Sequence, residues 1–122
     1  MRKGVMQKSN IIKEKTYQFA LDIINLYRTM QKQNEFVMSK QLVRSGTSIG
    51  ANVEEASAAQ SKKDFISKMA ISSKEARETN YWLRLLRDSK LCHKIDYSEL
   101  LKESEEIIKI LTSIVKTSQK RT

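Results

Sequence analysis

The sequence predicts an all-α fold, an antiparallel up-down bundle of four helices forming one domain over residues 1–122. Three observations carry this. The 122 residues hold no proline and three glycines, so turn formers are scarce while strong helix formers abound. Apolar residues recur at three- and four-residue steps in four separate stretches. The links between those stretches are short, which sets sequential helices side by side and antiparallel. A chain of this length makes one domain with a real core.

The first stretch, 10–32, places Ile12, Phe19, Ile23, Tyr27 and Met30 on one face, with Tyr17, Ala20 and Ile24 widening it. Ser9 or Asn10 can cap its start, and it fades at "QKQNEF". The second, 39–59, opens at Ser39, a residue type suited to an N-cap. Its seam of Leu42, Gly46, Ile49, Val53 and Ala56 steps like a coiled coil. The third, 62–90, opens at "SKKD", where Ser61 caps and Asp64 reaches back as in a capping box. Phe65, Met69, Ser72, Ala76, Thr79, Leu83 and Leu86 form its core stripe. "LCHKI" interrupts, and "DYSE" supplies a second capping box through Asp96 and Glu99. The fourth, 97–117, carries Leu100, Ile107, Leu111, Ile114 and Val115. The basic ends, Arg2, Lys3 and Lys8 with Lys116, Lys120 and Arg121, read first as frayed solubilising tails and alternatively as an extension of an RNA footprint.

Several function classes drop out. No run of about 18 apolar residues exists to span a bilayer, and the basic N-terminus leads into an amphipathic segment rather than a secretory signal. The single Cys92 excludes an internal disulfide and a cysteine-built zinc site, which fits a reducing cytoplasm. Its neighbour His93 is adjacent in sequence rather than opposed in space, so Cys92 reads as a loop cysteine. His93 is also the only histidine and lies in a predicted loop. Carboxylates on the helices therefore lack the Glu-x-x-His partners of a di-metal bundle. The expectation is no metal, no cofactor and no catalysis.

"RSGTSIGANVEEA", 44–56, poses a choice between a phosphate loop and a packing surface. A P-loop needs GxxxxGK[ST]; here the spacing is GxxxG, and Ala51 stands where the lysine belongs. Gly46 and Gly50 instead strip a helix face so that another backbone can come close. Each costs about 1 kcal/mol against alanine, which close packing must offset.

The formal net charge of +9 favours polyanionic partners. The third helix holds eight basic residues against four acidic ones over 62–90. Lys63, Ala70, Arg77 and Arg84 step by sevens along one stripe, flanked by Lys74 and Tyr81. Cations beside an aromatic suit phosphate contact with base stacking. The same helix carries a second apolar stripe, Ile71, Trp82 and Leu85, which suggests burial on two sides and a subunit interface. Arg44, Asn52 and Glu55 with Glu75 and Glu78 form a polar set, Arg44 pairing with Glu55 or Glu78 in a buried or interfacial network.

The phrases "FALDIINLYR", "SKQLVRSGTSIGANVEEA" and "QSKKDFISKMAISSKEARETNYWLRLLRDS" resemble the four-helix-bundle family of 23S rRNA intervening-sequence proteins, over about 11–111. The resemblance implies a likeness in fold to the accessory proteins of diversity-generating retroelements. Those form homopentameric rings with a basic surface and bind RNA and a reverse transcriptase. It implies no established activity. Relatives often carry proline where Gly50 stands, so any kink there is milder. The reading is a non-enzymatic, homo-oligomeric protein binding RNA or DNA through a basic face. The alternative is a scaffolding oligomer or accessory protein whose partner is a protein such as a reverse transcriptase.

Overall fold

In the computed structural model, which describes residues 3–120, the chain forms four helices. They are α1 (Lys3–Lys32), α2 (Met38–Ser57), α3 (Lys62–Ser89) and α4 (Ser98–Gln119), with no strand among the described residues. Pairings between them run in opposite directions along each neighbour. Lys8 Nζ meets Ser113 Oγ at 2.7 Å, and Lys15 Nζ meets Glu103 at 3.1 Å and Glu106 at 2.9 Å, so α1 and α4 are antiparallel. Lys13 pairs with Glu54 at 3.5 Å while Ile23 lies against Gly46, which sets α1 and α2 antiparallel. Lys68 pairs with Glu55 at 2.9 Å and Thr79 Oγ1 donates to Ser45 Oγ at 2.9 Å, doing the same for α2 and α3. Each helix packs on its sequence neighbours, α1 closes against α4, and the diagonal pairs stay apart. This is an up-down four-helix bundle.

The core follows the helical period. All seven residues of the α3 stripe, Phe65 to Leu86, are buried, as are Leu42, Gly46, Ile49, Val53 and Ala56 on α2. The α2–α3 seam is narrow and partly polar. Ser72 Oγ donates to the Ile49 carbonyl at 2.8 Å and Thr79 Oγ1 to Ser45 Oγ, so these hydroxyls of the seam are satisfied. From α1 come Ile12, Phe19, Ile23, Leu26 and Met30, and from α4 Leu101, Ile107, Leu111 and Ile114.

Four local expectations are corrected. Helix α1 begins at Lys3 rather than at Ser9 or Asn10. Packing of this segment along α4, with Lys8 reaching Ser113, outweighs the capping preference of the two polar residues. Helix α2 is not capped by Ser39, which is buried and donates its hydroxyl to the Glu35 carbonyl at 2.7 Å. The Glu35 carboxylate accepts instead from the backbone of Val37, Met38 and Ser39. At α4 the Asp96 carboxylate accepts from Ser98 N–H at 2.9 Å, an Asx turn rather than a reciprocal box with Glu99. Ser61 does cap α3, accepting from Asp64 N–H at 3.0 Å. Finally, Lys8, Lys116 and Lys120 are not frayed tail residues: Lys8 and Lys116 sit within α1 and α4, and Lys120 is the C-cap. Arg2, Arg121 and the Lys3 side chain lie outside the described residues.

Candidate functional site

Helix α3 is packed on α2 along one flank and on α4 along the other, which leaves a single outward strip. Lys63, Lys74, Arg77, Tyr81 and Arg84 are all exposed on it. Arg84 holds its guanidinium 5.7 Å above the Tyr81 ring and donates to Asn80 Oδ1 at 2.8 Å. Asn80 in turn donates to Ser104 Oγ on α4 at 2.9 Å, so the Arg84–Tyr81 pair is tied to the neighbouring helix. Arg77 leans the same way and donates to Thr112 Oγ1 at 3.2 Å. None of these four cations forms an ion pair with a carboxylate among the described residues. Asp88 is held below the usual carboxylate range by its hydrogen bond to Arg87, and Arg84 contributes only a weaker pull.

The acids that could have neutralised the strip are engaged elsewhere. Arg44, reaching across from α2, pairs with Glu75 at 3.5 Å and forms a short ion pair with Glu78. It also bonds Gln41 through Nη2 at 3.2 Å. Glu55 pairs with Lys68 rather than Arg44, and Asn52 donates to its own helix at Ser48 O, 2.9 Å away. The polar set is therefore two separate surface clusters rather than one buried network; the Arg44 side chain is 51% exposed. Surface pairs of this kind contribute at most about 1 kcal/mol each. Their consequence here is which charges they remove from solution.

Of the second apolar stripe, Ile71 and Leu85 are exposed, together with Tyr81. Trp82 is half-buried against its own core, and its indole N–H donates to Glu78 at 2.9 Å. Tyr81 meets it edge-on with ring centroids 5.3 Å apart. Gly46 and Gly50 both face α1, against Ile23 and Thr16. Cys92 is buried in the α3–α4 connection, where burial pushes its thiol up, while His93 is exposed; no hydrogen bond joins the two. Among the described residues no group of three or more His, Cys, Asp or Glu is arranged to hold a metal ion. No described helix is long and apolar enough to cross a membrane.

The basic end of α4, a tail or an extended RNA footprint by its sequence, lines a groove. This open groove of about 550 Å³ follows the outer face of α4, lined by Arg77, Ile108, Lys109, Thr112, Ser113, Lys116, Thr117 and Lys120. Its signal in the sequence is compositional: no Asp or Glu occurs anywhere in 107–122.

Comparison with known proteins adds three findings. The sequence pattern described as 23S rRNA-intervening sequence protein matches residues 8–113. A crystal structure of a protein of unknown function from the S23 ribosomal protein family of Bacteroides thetaiotaomicron is similar, with a TM-score of 0.83 and 50% identity. That likeness covers 89% of this chain and 98% of the other. Comparison with curated proteins finds no match.

Proposed function

The chain belongs to the 23S rRNA-intervening sequence protein family, and we propose that it is a non-enzymatic RNA-binding protein that grips phosphates with the outward strip of α3. The observation that carries the reading is the division of charge around that helix. Glu75 and Glu78 are turned toward α2 and held by Arg44, which leaves Lys63, Lys74, Arg77 and Arg84 without carboxylate partners beside an exposed tyrosine. Unpaired cations gain from displacing counterions off a polyanion, and Tyr81 offers a face on which a base can stack. A lone buried cysteine fits work in the cytoplasm, where thiols stay reduced.

The test is anisotropy of a labelled structured RNA over a salt series. Binding should weaken log-linearly with salt. The variant Lys63→Glu/Arg77→Glu/Arg84→Glu should lose it. Retention of wild-type affinity by that variant refutes the reading.

A second reading, self-association, is favoured by the exposed side chains of Ile71, Tyr81 and Leu85 on the same helix. In this reading copies of the chain join through these residues and the open edge of Trp82 into the five-membered ring that the family resemblance implies. Such a ring could also serve as an accessory scaffold for a protein partner such as a reverse transcriptase. Light scattering on Leu85→Glu decides the assembly question: a multimer that falls to the monomer mass supports it, and an unchanged mass removes α3 from the interface.

A further inference from the structure

The groove on α4 has a chemical organisation that its lysine count alone would not supply. Two neighbouring residues of α4, Thr112 and Ser113, each accept a hydrogen bond from a cation on a different helix. Arg77 of α3 donates to Thr112 Oγ1 at 3.2 Å, and Lys8 of α1 donates to Ser113 Oγ at 2.7 Å. A hydroxyl that accepts from a cation keeps its own proton free to donate outward. Each pair therefore presents a positive charge and an O–H donor to the same acceptor, and that acceptor is best an anion. Neither Arg77 nor Lys8 is in ion-pair contact with a carboxylate among the described residues.

Lys109 stands one turn before this pair of hydroxyls and Lys116 one turn after, about 10 Å apart along the axis. That span matches about three steps of one stacked strand at a rise of roughly 3.4 Å each. None of the residues lining the groove is acidic, although exposed Glu105 stands one turn before Lys109 on the same helix. Asp and Glu are absent from 1–13, from 65–74 and from 107–122, and of the acids that share this end of the bundle Glu54 and Glu55 are paired with Lys13 and Lys68. On α4 the carboxylates of Glu103 and Glu106 are taken by Lys15, which holds the Glu106 carboxyl below its usual range.

We propose that the outer face of α4 is a saddle for the phosphate backbone of one RNA strand, which runs along the helix past Thr112 and Ser113. Lys109 and Lys116 hold flanking phosphates, and the Arg77–Thr112 and Lys8–Ser113 pairs each hold one of those between. This rests on the RNA-binding reading and moves its main contact from α3 to α4, with Arg77 as the residue shared by both surfaces.

The experiment uses the full chain and a fluorescein-labelled twelve-nucleotide uridine strand, with helicity checked by circular dichroism. Lys109→Glu/Lys116→Glu should weaken binding by more than about tenfold and lower the log–log salt slope by about 1.4, the share of two single-strand contacts. Thr112→Val/Ser113→Ala should weaken it about threefold with the slope unchanged, because donors are lost and no charge is. Affinity within twofold of wild type for the lysine variant overturns the saddle. If Lys63→Glu/Arg77→Glu/Arg84→Glu then still abolishes binding, the RNA-binding reading survives without it. A wild-type protein that binds neither this strand nor structured RNA ends both. Equal competition by polyglutamate of matched charge overturns the phosphate assignment.

Discussion

Gly46 lies so close to Ile23 that a β-carbon placed on it would sit 2.8 Å from Ile23 Cγ2 and 3.0 Å from Cγ1. The α1–α2 packing distance is set at this point. Ile23 is fully buried and β-branched, so its χ1 cannot turn aside cheaply. At Gly50 the same construction meets Thr16 O and Oγ1 at 3.4 Å, an ordinary contact. The two glycines of one motif therefore differ in what they do.

Alanine substitution separates them. Both variants gain about 1 kcal/mol of helix propensity. Gly46→Ala adds a clash in a closed core costing about 1–3 kcal/mol and should be destabilised on balance. Gly50→Ala should be neutral or up to about 1 kcal/mol more stable. Urea unfolding of the two variants measures this, and a stabilised Gly46→Ala would refute the close approach.

Glu35 should matter more than its place in a polar link suggests. Its carboxylate accepts from three consecutive backbone N–H groups, the nearest at 2.7 Å from Ser39 N. Those are the orphan donors at the start of α2, so Glu35→Ala should cost about 1–2 kcal/mol in denaturant unfolding. Unchanged stability would mean that solvent serves those donors equally well.

What could be read in advance follows from what periodicity encodes. Every apolar or small position on the α3 stripe is buried because a helix repeats one-dimensionally, and the spacing alone places its inner face. Ser104 and Ser118 continue the α4 stripe of Leu101, Ile107, Leu111 and Ile114 and were missed because that stripe was started at Leu100, though Ser104 is fully buried and bonds Asn80. Cys92 and Tyr97 lie in or beside a turn yet join the core, a fact of chain reversal rather than of period. For the candidate site, the row of cations was legible but the pairing of the acids was not. Glu78 stands four residues after Lys74, the spacing of an intrahelical pair, and only the approach of α2 brings Arg44 to it.

Tyr97 makes stability fall at high pH. Burial, then the neighbouring Cys92, pushes its phenol from 10.0 up to about 12. The folded state thus favours the neutral form. The unfolded chain ionises above about pH 10 while the folded chain keeps its proton, so stability is complete below pH 10 and is lost between 10 and 12. The buried Cys92 thiol, also raised, acts in the same direction. Tyr97→Phe should flatten the alkaline limb of a plot of unfolding free energy against pH. An identical limb would show that the phenol ionises without cost.

Arg44 links the fold to the proposed activity without facing the ligand strip. Its side chain is 51% exposed, so Arg44→Gln should change stability by less than about 1 kcal/mol. It releases two carboxylates, however, and Glu78 is then free to pair with Lys74 one turn back on α3. One strip cation is thereby neutralised in addition to the arginine removed. RNA affinity should fall, and the salt slope should fall by about one single-strand contact, roughly 0.7, although the substituted residue touches no phosphate. Adding Glu78→Gln to Arg44→Gln should restore most of the slope, because the competing carboxylate is gone while the arginine stays absent. If the double variant binds no better than Arg44→Gln, the acids do not compete for Lys74, and the charge division around α3 has no bearing on binding.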